Sequence, residues 1–307
     1  MGSGKKNKRV VIVAGPTAVG KTTVAIELAK YFRTEIISAD SRQCFKELNI
    51  GVARPSEEEL RQVTHHFIAS HPIVIGSIND EVNAVTFEQY ALQKVNELFQ
   101  QHDTVVMVGG TGLYINAFCE GLDEIPAVDP AIREKIINEY EKKGLLWLQQ
   151  QVQQKDPAFY ESGEIQNPQR VMRALEVAES TGQSILSFRQ KKKATRDFTI
   201  IKIGLKLPKE ELHRNINNRV DKMIAAGLIE EVKQLRAYKN LNALQTVGYP
   251  EIFDWLDEKI TLPEAIERIK VNTRQYAKRQ MTWFKRDKEM KWFSPGQVKE
   301  MIEFVVQ

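Results

Sequence analysis

The sequence predicts an α/β fold in which helices flank a parallel sheet and an all-helical insertion interrupts the chain. Short apolar runs rich in β-branched residues, typical of buried parallel strands, occur at residues 9–14, 35–39 and 104–108. Apolar residues recur at helical spacing over residues 86–101, between the second and third runs. Strands that alternate with helices predict parallel pairing, with ligands bound at the carboxyl ends of the strands.

A glycine-rich loop follows the first predicted strand and has the spacing G-x-x-x-x-G-K-[ST]. It consists of Gly15, Pro16, Thr17, Ala18, Val19, Gly20, Lys21 and Thr22. Backbone N–H groups of such a loop surround phosphate oxygens, and the N-terminus of the helix that follows adds partial positive charge. Lys21 would reach the phosphates and the Thr22 hydroxyl would hold Mg²⁺. We therefore predict a P-loop NTPase-like fold in which residues 15–22, together with Thr23, bind phosphate.

The character of the sequence changes after Gly121. Residues 122–199 contain no convincing strand, and Asp129-Pro130 and Asn167-Pro168 are typical starts of helices. The alternating run at 198–205 predicts a return to the sheet, and residues 208–307 are mainly helical in pattern. We predict a P-loop catalytic core of residues 1–121 and 200–307 with C-terminal helices. Residues 122–199 are predicted to form a helical insertion domain.

The positive charge of the chain is concentrated in two segments. Residues 268–291 contain nine Lys or Arg and two acids, and residues 189–196 contain five Lys or Arg, although the net charge is only +4. Localised positive charge indicates either a polyanionic partner or a solvated basic face.

Cysteine content and hydropathy argue against a disulfide-rich, zinc-binding or membrane-spanning protein. Two cysteines are too few for a disulfide framework or a zinc site. No apolar stretch approaches the roughly 20 residues of a membrane span. We expect a cytoplasmic protein with reduced thiols and no membrane contact.

Asp40 is the only Asp that the predicted topology places at the end of a strand. Many P-loop kinases and ATPases hold Mg²⁺ with an Asp at the end of a second strand, yet the run at 104–108 ends in Gly109-Gly110-Thr111. Asp40 ends the run at 35–39, where its carboxylate could coordinate Mg²⁺, accept a proton from a nucleophile, or cap a helix.

Eight blocks of sequence occur in one order along the chain and carry a resemblance to a known family. They are residues 15–22, 40–43, 50–51, 65–66, 109–114, 169–173, 248–249 and 273–284. The last block, with the pattern R-Q-x-A-K-R-Q-x-T-W, is the most specific. The series resembles the tRNA dimethylallyltransferases, the tRNA isopentenyltransferase family of bacteria, over nearly the whole chain.

The resemblance implies transfer of a dimethylallyl group from dimethylallyl diphosphate to the exocyclic amine of the adenosine 3′-adjacent to the tRNA anticodon. Asp40 matches the proposed base of the family, and Thr111 matches a residue beside the reacting centre. Arg219 matches an arginine that would stabilise the leaving diphosphate together with Lys21 and Mg²⁺ on Thr22. We expect a monomeric enzyme. The loop alone is also an ATP-binding motif, so a P-loop nucleoside or small-molecule kinase is an alternative, as is a non-enzymatic RNA-binding protein.

The resemblance also implies a set of residues that contact the tRNA anticodon stem-loop. They are Asp40, Ser41, Arg42, Gln43, Thr111, Arg133, Gln169, Arg170, Val171, Met172, Arg173, Gln245, Thr246, Val247, Gly248, Tyr249, Pro250, Arg274, Lys278 and Arg279. At helical spacing, Arg274 and Lys278 share a basic stripe. Tyr276, Gln280 and Trp283 fall on the opposite stripe, which we expect to pack in the core.

Overall fold

The computed structural model describes residues 8–73, 82–189 and 193–307. Within these ranges, six parallel strands form one sheet in the order β3-β2-β4-β1-β5-β6. The strands are β1 (Arg9–Ala14), β2 (Ile36–Ser38), β3 (His65–His66), β4 (Thr104–Gly109), β5 (Thr199–Leu205) and β6 (Lys291–Phe293). This order puts β1, which leads into the phosphate loop, between β4 and β5.

Helices pack around the sheet and form the segment between β4 and β5. They are α1 (Lys21–Phe32), α2 (Glu57–Gln62), α3 (Ala84–Leu98), α4 (Gly112–Glu120), α5 (Pro130–Lys155), α6 (Pro157–Ser162), α7 (Pro168–Thr181), α8 (Lys209–Ala225), α9 (Leu228–Gln234), α10 (Tyr249–Leu256), α11 (Leu262–Phe284) and α12 (Val298–Val306). Gly144, with φ of 73°, kinks α5. In the ranges that the structure describes, no helix combines the length and apolarity needed to cross a bilayer.

The α/β prediction is confirmed, and so are the main strands. The runs at 9–14, 35–39, 104–108 and 198–205 form β1, β2, β4 and β5, and α3 lies where residues 86–101 predicted a helix. The apolar runs are continuous because β1 and β4 are covered on both faces, so nearly every side chain in them is buried. Strands β3 and β6 were not predicted, because two or three residues are too few to establish a periodicity.

The contacts divide the chain into two compact units. One unit is Met1–Cys119 with Thr195–Gln307, and the other is Glu120–Ala194; the predicted insertion covers residues 122–199. The second unit packs α5, α6 and α7 around a core that includes Leu148, Phe159 and Val171. Its helices begin as the sequence predicted, because the side chains of Asp129 and Asn167 accept backbone N–H groups of the first turns of α5 and α7.

The carboxyl ends of β2 and β4 are in direct backbone contact. Ala39 donates its N–H to the carbonyl oxygen of Val108 at 2.7 Å, and the N–H of Thr111 donates to the carbonyl oxygen of Ala39 at 3.3 Å. A Cβ atom placed on Gly109 would overlap the carbonyl group of Ala39. Only glycine at residue 109 permits this approach, which brings the segment after β2 beside the turn after β4.

We predict that Gly109→Ala destabilises the fold by about 1–3 kcal/mol, because the added methyl must push apart two backbone segments. Gly296→Ala is the matched control, since a Cβ there meets nothing within 4 Å, and it should change the free energy of unfolding by less than about 0.5 kcal/mol. Urea unfolding of both variants measures the difference. Equal stability of the two variants would contradict the packing described here.

Candidate active site

A cavity opens in the first unit at the carboxyl ends of β1, β2 and β4. Helices α8 and α11 and the loop before α10 complete its wall. The predicted site residues in its lining are Thr17, Ala18, Gly20, Lys21, Thr22, Asp40, Arg42, Gln43, Arg219, Thr246, Val247 and Gly248. The structure thus brings the phosphate loop, the candidate base and the candidate arginine to one cavity.

The phosphate loop depends on glycines at two strained positions. Gly15 has φ of 152° and a Cβ there would lie 2.8 Å from the carbonyl oxygen of Leu205; Gly20, the N-cap of α1, has φ of 96°. Of the predicted phosphate-binding residues, Gly15, Pro16, Val19 and Thr23 lie outside the cavity lining. The side chain of Val19 is buried in the sheet core, which restricts any phosphate contact from Val19 to its backbone.

Lys21 and Arg219 face the cavity beside the phosphate loop, and neither has a paired acid among the described residues. Lys21 Nζ donates to the carbonyl oxygen of Pro16 at 2.7 Å, and Arg219 Nη1 donates to Thr17 Oγ1 at 3.1 Å. Burial, followed by the charge of Arg219, lowers the pKa of Lys21 to about 7, and the charge of Asp40 opposes the shift. Burial also lowers the pKa of Arg219. In the described part of the chain neither side chain forms an ion pair, so an anion in the cavity would meet two basic groups that no carboxylate neutralises.

The carboxylate of Asp40 has one oxygen engaged and one available. Oδ1 accepts the backbone N–H groups of Arg42 at 2.9 Å and Gln43 at 3.2 Å. Oδ2 has no hydrogen-bond partner among the described residues, and Asp40 lines the cavity. The two interpretations of Asp40, a local cap and a functional acid, therefore apply to different oxygens of the same side chain.

Thr111 orients the segment that carries Asp40. Its Oγ1 accepts the backbone N–H of Ser41 at 3.0 Å and donates to Ser41 Oγ at 3.3 Å. Thr111 is not part of the cavity lining. The resemblance placed Thr111 beside the reacting centre, and the structure engages its hydroxyl with Ser41.

Gln280 of α11 was expected in the core, and it is buried, but it has a polar role that the sequence did not predict. Its Oε1 accepts the backbone N–H of Thr17 at 2.8 Å, and its Nε2 donates to the carbonyl oxygen of Gly110 at 2.9 Å. The partners lie 263 and 170 residues away along the chain, so no local pattern could have revealed them.

Glu231 of α9 is a second residue that sequence reasoning missed. Its carboxylate accepts the N–H groups of Asn49, Ile50 and Gly51 at 2.7–3.2 Å and the hydroxyl of Tyr249 at 2.7 Å. Tyr249 is fully buried, and burial, followed by the charge of Glu231, raises the pKa of its hydroxyl. The expectation that Tyr249 contacts tRNA is therefore wrong for its side chain, which instead holds the loop bordering the cavity.

Polar side chains after β2 also hold neighbouring loops. Gln43 Nε2 donates to the carbonyl oxygens of Val52 at 3.2 Å and Ala53 at 2.9 Å. Arg42 Nη2 donates to Asn242 Oδ1 at 3.4 Å, just before the predicted tRNA-contacting loop 245–250. In that loop Gln245 is exposed, and Pro250 lies in the first turn of α10.

Two aromatic side chains of α11 are more exposed than predicted. Tyr276 is 36% exposed and Trp283 is 39% exposed, so the expectation that both pack in the core is wrong. Tyr276 lines the cavity, where burial, and then the charge of Asp40, raises its pKa to about 12. Trp283 lies against Gly112, where a Cβ would overlap the indole. Helical spacing correctly grouped these residues, but the face they share borders the cavity as well as the core.

Some cations on the basic stripe of α11 form ion pairs and others do not. Arg274 Nη1 donates to Asn217 Oδ1 at 2.7 Å and Arg274 Nη2 lies 3.3 Å from Glu267 Oε1. Lys278 and Arg279 are exposed, and neither has an ion-pair partner within the described ranges. Arg279 lies over the ring of Tyr276 at 5.8 Å from its centroid. Lys278 and Arg279 are thus the cations of α11 most available to a polyanion.

In the second unit, one buried carboxylate holds two of the predicted tRNA-contacting arginines. Glu176 is 5% exposed; its oxygens lie 3.8 Å from Arg133 Nε and 3.3 Å from Arg173 Nη1. Arg170 pairs with Glu164. A buried carboxylate that is shared by two guanidinium groups fixes their positions while leaving net positive charge.

Val171 and Met172 do not fit their predicted role. Both are buried in the core of the second unit, at 0% and 6% exposure, so the expectation that their side chains contact tRNA is wrong. They occupy the apolar face of α7 between Arg170 and Arg173. Gln169 and Arg170 are exposed.

The basic segment 189–196 is described only in part. Gln190, Lys191 and Lys192 lie outside the described residues. Arg196 donates to the carbonyl oxygens of Ala117 and Phe118 and pairs with Glu88 at 2.7 Å. Arg196 is therefore a structural cation rather than part of an exposed basic face.

The residues present fit a Mg²⁺ ion that takes most of its ligands from phosphate and water. The Thr22 hydroxyl and Asp40 Oδ2 are oxygen donors in the cavity lining without protein partners in the described segments. No group of three or more His, Cys, Asp or Glu in those segments could hold a metal by itself. Mg²⁺ in phosphate sites is held in this way, by one or two protein oxygens with substrate phosphates and water.

These features define the class of protein. A glycine-rich loop at the end of the central parallel strand, two unpaired cations and a carboxylate across the cavity make an α/β protein of the P-loop type, with a site for a phosphate-bearing ligand. The family model described as IPP transferase matches residues 43–287. The chain belongs to the IPP transferase family.

Similar proteins agree with this assignment over nearly the full length. The chain is 49% identical to the tRNA dimethylallyltransferase of Christiangramia forsetii, covering 92% of each chain, and 46% identical to that of Cytophaga hutchinsonii, covering 97% of each. It matches the tRNA isopentenylpyrophosphate transferase structure from Bacillus halodurans with a TM-score of 0.70 and 33% identity, over 98% and 96% of the two chains. A eukaryotic dimethylallyltransferase acting on tRNA matches with a TM-score of 0.72 and 27% identity, over 90% of this chain and 69% of that chain.

The low pKa of Lys21 predicts that diphosphate binding takes up a proton. Above pH 7 the free site holds mostly neutral Lys21, and a bound anion favours the charged form, so affinity should fall as pH rises above about 7. Calorimetry at pH 8 with sulfate in place of diphosphate, in metal-free buffers of different ionisation enthalpy, should give an uptake approaching about one proton more than Lys21→Met. Sulfate is the probe because it carries no titrating proton at pH 8, and equal uptake by the two proteins would contradict the prediction.

Proposed function

We propose that this chain transfers the dimethylallyl group of dimethylallyl diphosphate to the exocyclic amine of the adenosine 3′-adjacent to the anticodon of tRNA, releasing diphosphate. Membership of the IPP transferase family supports the class of reaction. The observation that carries the assignment of residues is that Asp40, with a free Oδ2, lines the same cavity as the phosphate loop.

The phosphate loop would bind the leaving group. Diphosphate presents the same kind of oxygens as a nucleotide, so the loop geometry suits it equally well. As the carbon–oxygen bond of the donor breaks, negative charge develops on the ester oxygen that joined the dimethylallyl carbon to phosphorus. Lys21 and Arg219 converge on the loop from α1 and α8 and would stabilise that charge. Mg²⁺ held by Thr22, when bound, would neutralise further charge on the diphosphate.

Asp40 would act on the nucleophile. The lone pair of an adenine amine is delocalised into the ring, so the amine attacks weakly unless its proton is removed as the new carbon–nitrogen bond forms. Asp40 Oδ2 could accept that proton, while Oδ1 remains held by the N–H groups of Arg42 and Gln43. Thr111 would act through Ser41 by fixing the same segment.

The adenine must leave the anticodon stack to reach a cavity of this kind. Enzymes that modify bases extrude them into a pocket, where aromatic side chains stack on the base. Tyr276, at the cavity and partly exposed, is suited to such stacking. The exposed Lys278 and Arg279, and separately the arginines of the second unit, supply charge for the RNA backbone.

All the residues to which the proposed reaction assigns a role lie in one chain, so the proposed mechanism for a monomeric enzyme needs no residue from a second subunit. Cys44 and Cys119 are buried thiols outside any disulfide, which suits a reducing compartment such as the cytoplasm.

The proposal is tested with purified protein, Mg²⁺, an adenosine-bearing anticodon stem-loop and either dimethylallyl diphosphate or ATP. We expect prenylated RNA and released diphosphate with the first donor, detected by mass spectrometry, and no phosphoryl transfer with the second. The loop motif by itself favours a kinase, so unmodified RNA together with consumption of ATP would replace the proposed function with that alternative.

We predict that Asp40→Asn lowers kcat by about 10²–10⁴-fold, the usual contribution of a general base. The substitution keeps an oxygen to accept the N–H groups of Arg42 and Gln43, so the fold and tRNA binding should be retained. Asp103→Asn, which alters an exposed acid paired with Lys8 outside the cavity, is the control and should turn over normally. Unchanged turnover of Asp40→Asn would remove Asp40 from the mechanism.

We predict that Lys278→Ala and Arg279→Ala each reduce the slope of log Kd for tRNA against log salt concentration by about 1, because each removes a phosphate contact. Lys299→Ala, an exposed lysine of α12, should leave the slope unchanged. Filter binding over a salt series measures the slopes, and equal slopes for all three variants would show that RNA does not lie along α11.

A further inference from the structure

The side chain of Gln280 joins two parts of the cavity that belong to different steps of the reaction. Oε1 accepts the N–H of Thr17 in the phosphate loop, and Nε2 donates to the carbonyl oxygen of Gly110 in the turn after β4. That turn continues into Thr111, which positions Asp40 through Ser41. One neutral amide therefore spans the donor side and the base side of the site.

Thr17 is held from both sides. Its N–H donates to Gln280, and its hydroxyl accepts Arg219 Nη1 at 3.1 Å. The N–H groups of a phosphate loop ordinarily face the ligand, yet this one already has a side-chain acceptor. Helices α8 and α11 thus fix the tip of the loop without help from phosphate.

Close packing leaves the amide little freedom. Gln280 is 6% exposed, and a Cβ on Gly110 would overlap its Nε2. Because Nε2 is the end of a flexible side chain, Gly110→Ala would displace the amide rather than the backbone. The same pair of hydrogen bonds can therefore be broken in two independent ways, by replacing Gln280 itself or by adding a methyl group at Gly110.

We propose that Gln280 is a positioning residue for prenyl transfer, which sets the distance between the phosphate loop and the Gly110–Asp40 side of the cavity. The proposal rests on the proposed function. A glutamine suits this role because a carboxylate could not donate to the Gly110 carbonyl and would bring negative charge beside the diphosphate. An aliphatic residue would leave both the Thr17 N–H and the Gly110 carbonyl without a partner.

The test compares Gln280→Leu, Gly110→Ala and the double variant with the wild-type enzyme. Gln297→Leu is the matched control, since Gln297 Oε1 also accepts a backbone N–H, that of Ser294 at 2.8 Å, but lies outside the cavity lining. Each protein is assayed for kcat and KM with dimethylallyl diphosphate, for tRNA affinity, and for thermal stability.

We expect Gln280→Leu and Gly110→Ala each to lower kcat/KM for dimethylallyl diphosphate by about 10- to 100-fold, the effect of a misplacement near 1 Å. The affinity for tRNA and the activity of Gln297→Leu should not change. The double variant should have the same kcat/KM as the less active of the two single variants, because both substitutions break the same hydrogen bonds of the Gln280 amide. Gln280→Glu should recover part of kcat but keep a raised KM, since it retains only the acceptor.

Three results would overturn the proposal: normal kcat/KM in Gly110→Ala, additive losses in the double variant, or a loss of tRNA affinity that accounts for the whole effect. If Gln280→Leu does not fold, Gly110→Ala and Gln280→Glu still decide the outcome. Failure of the wild-type enzyme to prenylate RNA would instead refute the proposed function, so the two failures are distinguishable.

Discussion

The approach of β2 to β4 at Gly109 is the constraint on which the rest of the site depends. With no side chain at residue 109, the Ala39 carbonyl lies against the end of β4, and Asp40 follows at once. Any side chain at that point would separate the acid from the loop after β1. The absence of an acid at the end of β4 thus has a steric reason, and the acid comes from β2.

The loops of the cavity are fixed by single side chains that bond several backbone groups. Glu231 accepts three consecutive N–H groups of residues 49–51, and Gln280 bonds both Thr17 and Gly110. Each side chain takes the place of water as the hydrogen-bond partner of loop backbone groups that no strand pairs with there. Because both residues lie on helices of the C-terminal part of the chain, that part builds the site as well as covering it.

Some of this could be predicted from sequence and some could not, for a physical reason. The phosphate loop is encoded in eight contiguous residues, so Lys21 and Thr22 are predictable. Glu231 acts on residues about 180 positions away, and no local pattern encodes such a contact. Helical spacing put Tyr276 and Trp283 on one face correctly, but spacing does not tell whether a face meets the core or a cavity mouth. Val171 and Met172 show the opposite case. They belong to a sequence block that the resemblance associates with tRNA contact, but their side chains pack in the core beneath the exposed residues of that block.

The acid and the cations of the cavity are kept apart, which suits two different tasks: accepting a proton and binding an anion. Asp40 is the only acidic side chain in the cavity lining of the described residues, and it does not pair with Lys21 or Arg219. If it did, the carboxylate would be neutralised as a base and the cations as anion ligands. Burial instead helps bring the pKa of Lys21 to about 7, so the free site can hold that lysine uncharged, and an arriving diphosphate would restore the charge. In the proposed reaction the acid would act on the forming carbon–nitrogen bond and the cations on the breaking carbon–oxygen bond, and a neutral group such as the amide of Gln280 would fix the distance between them.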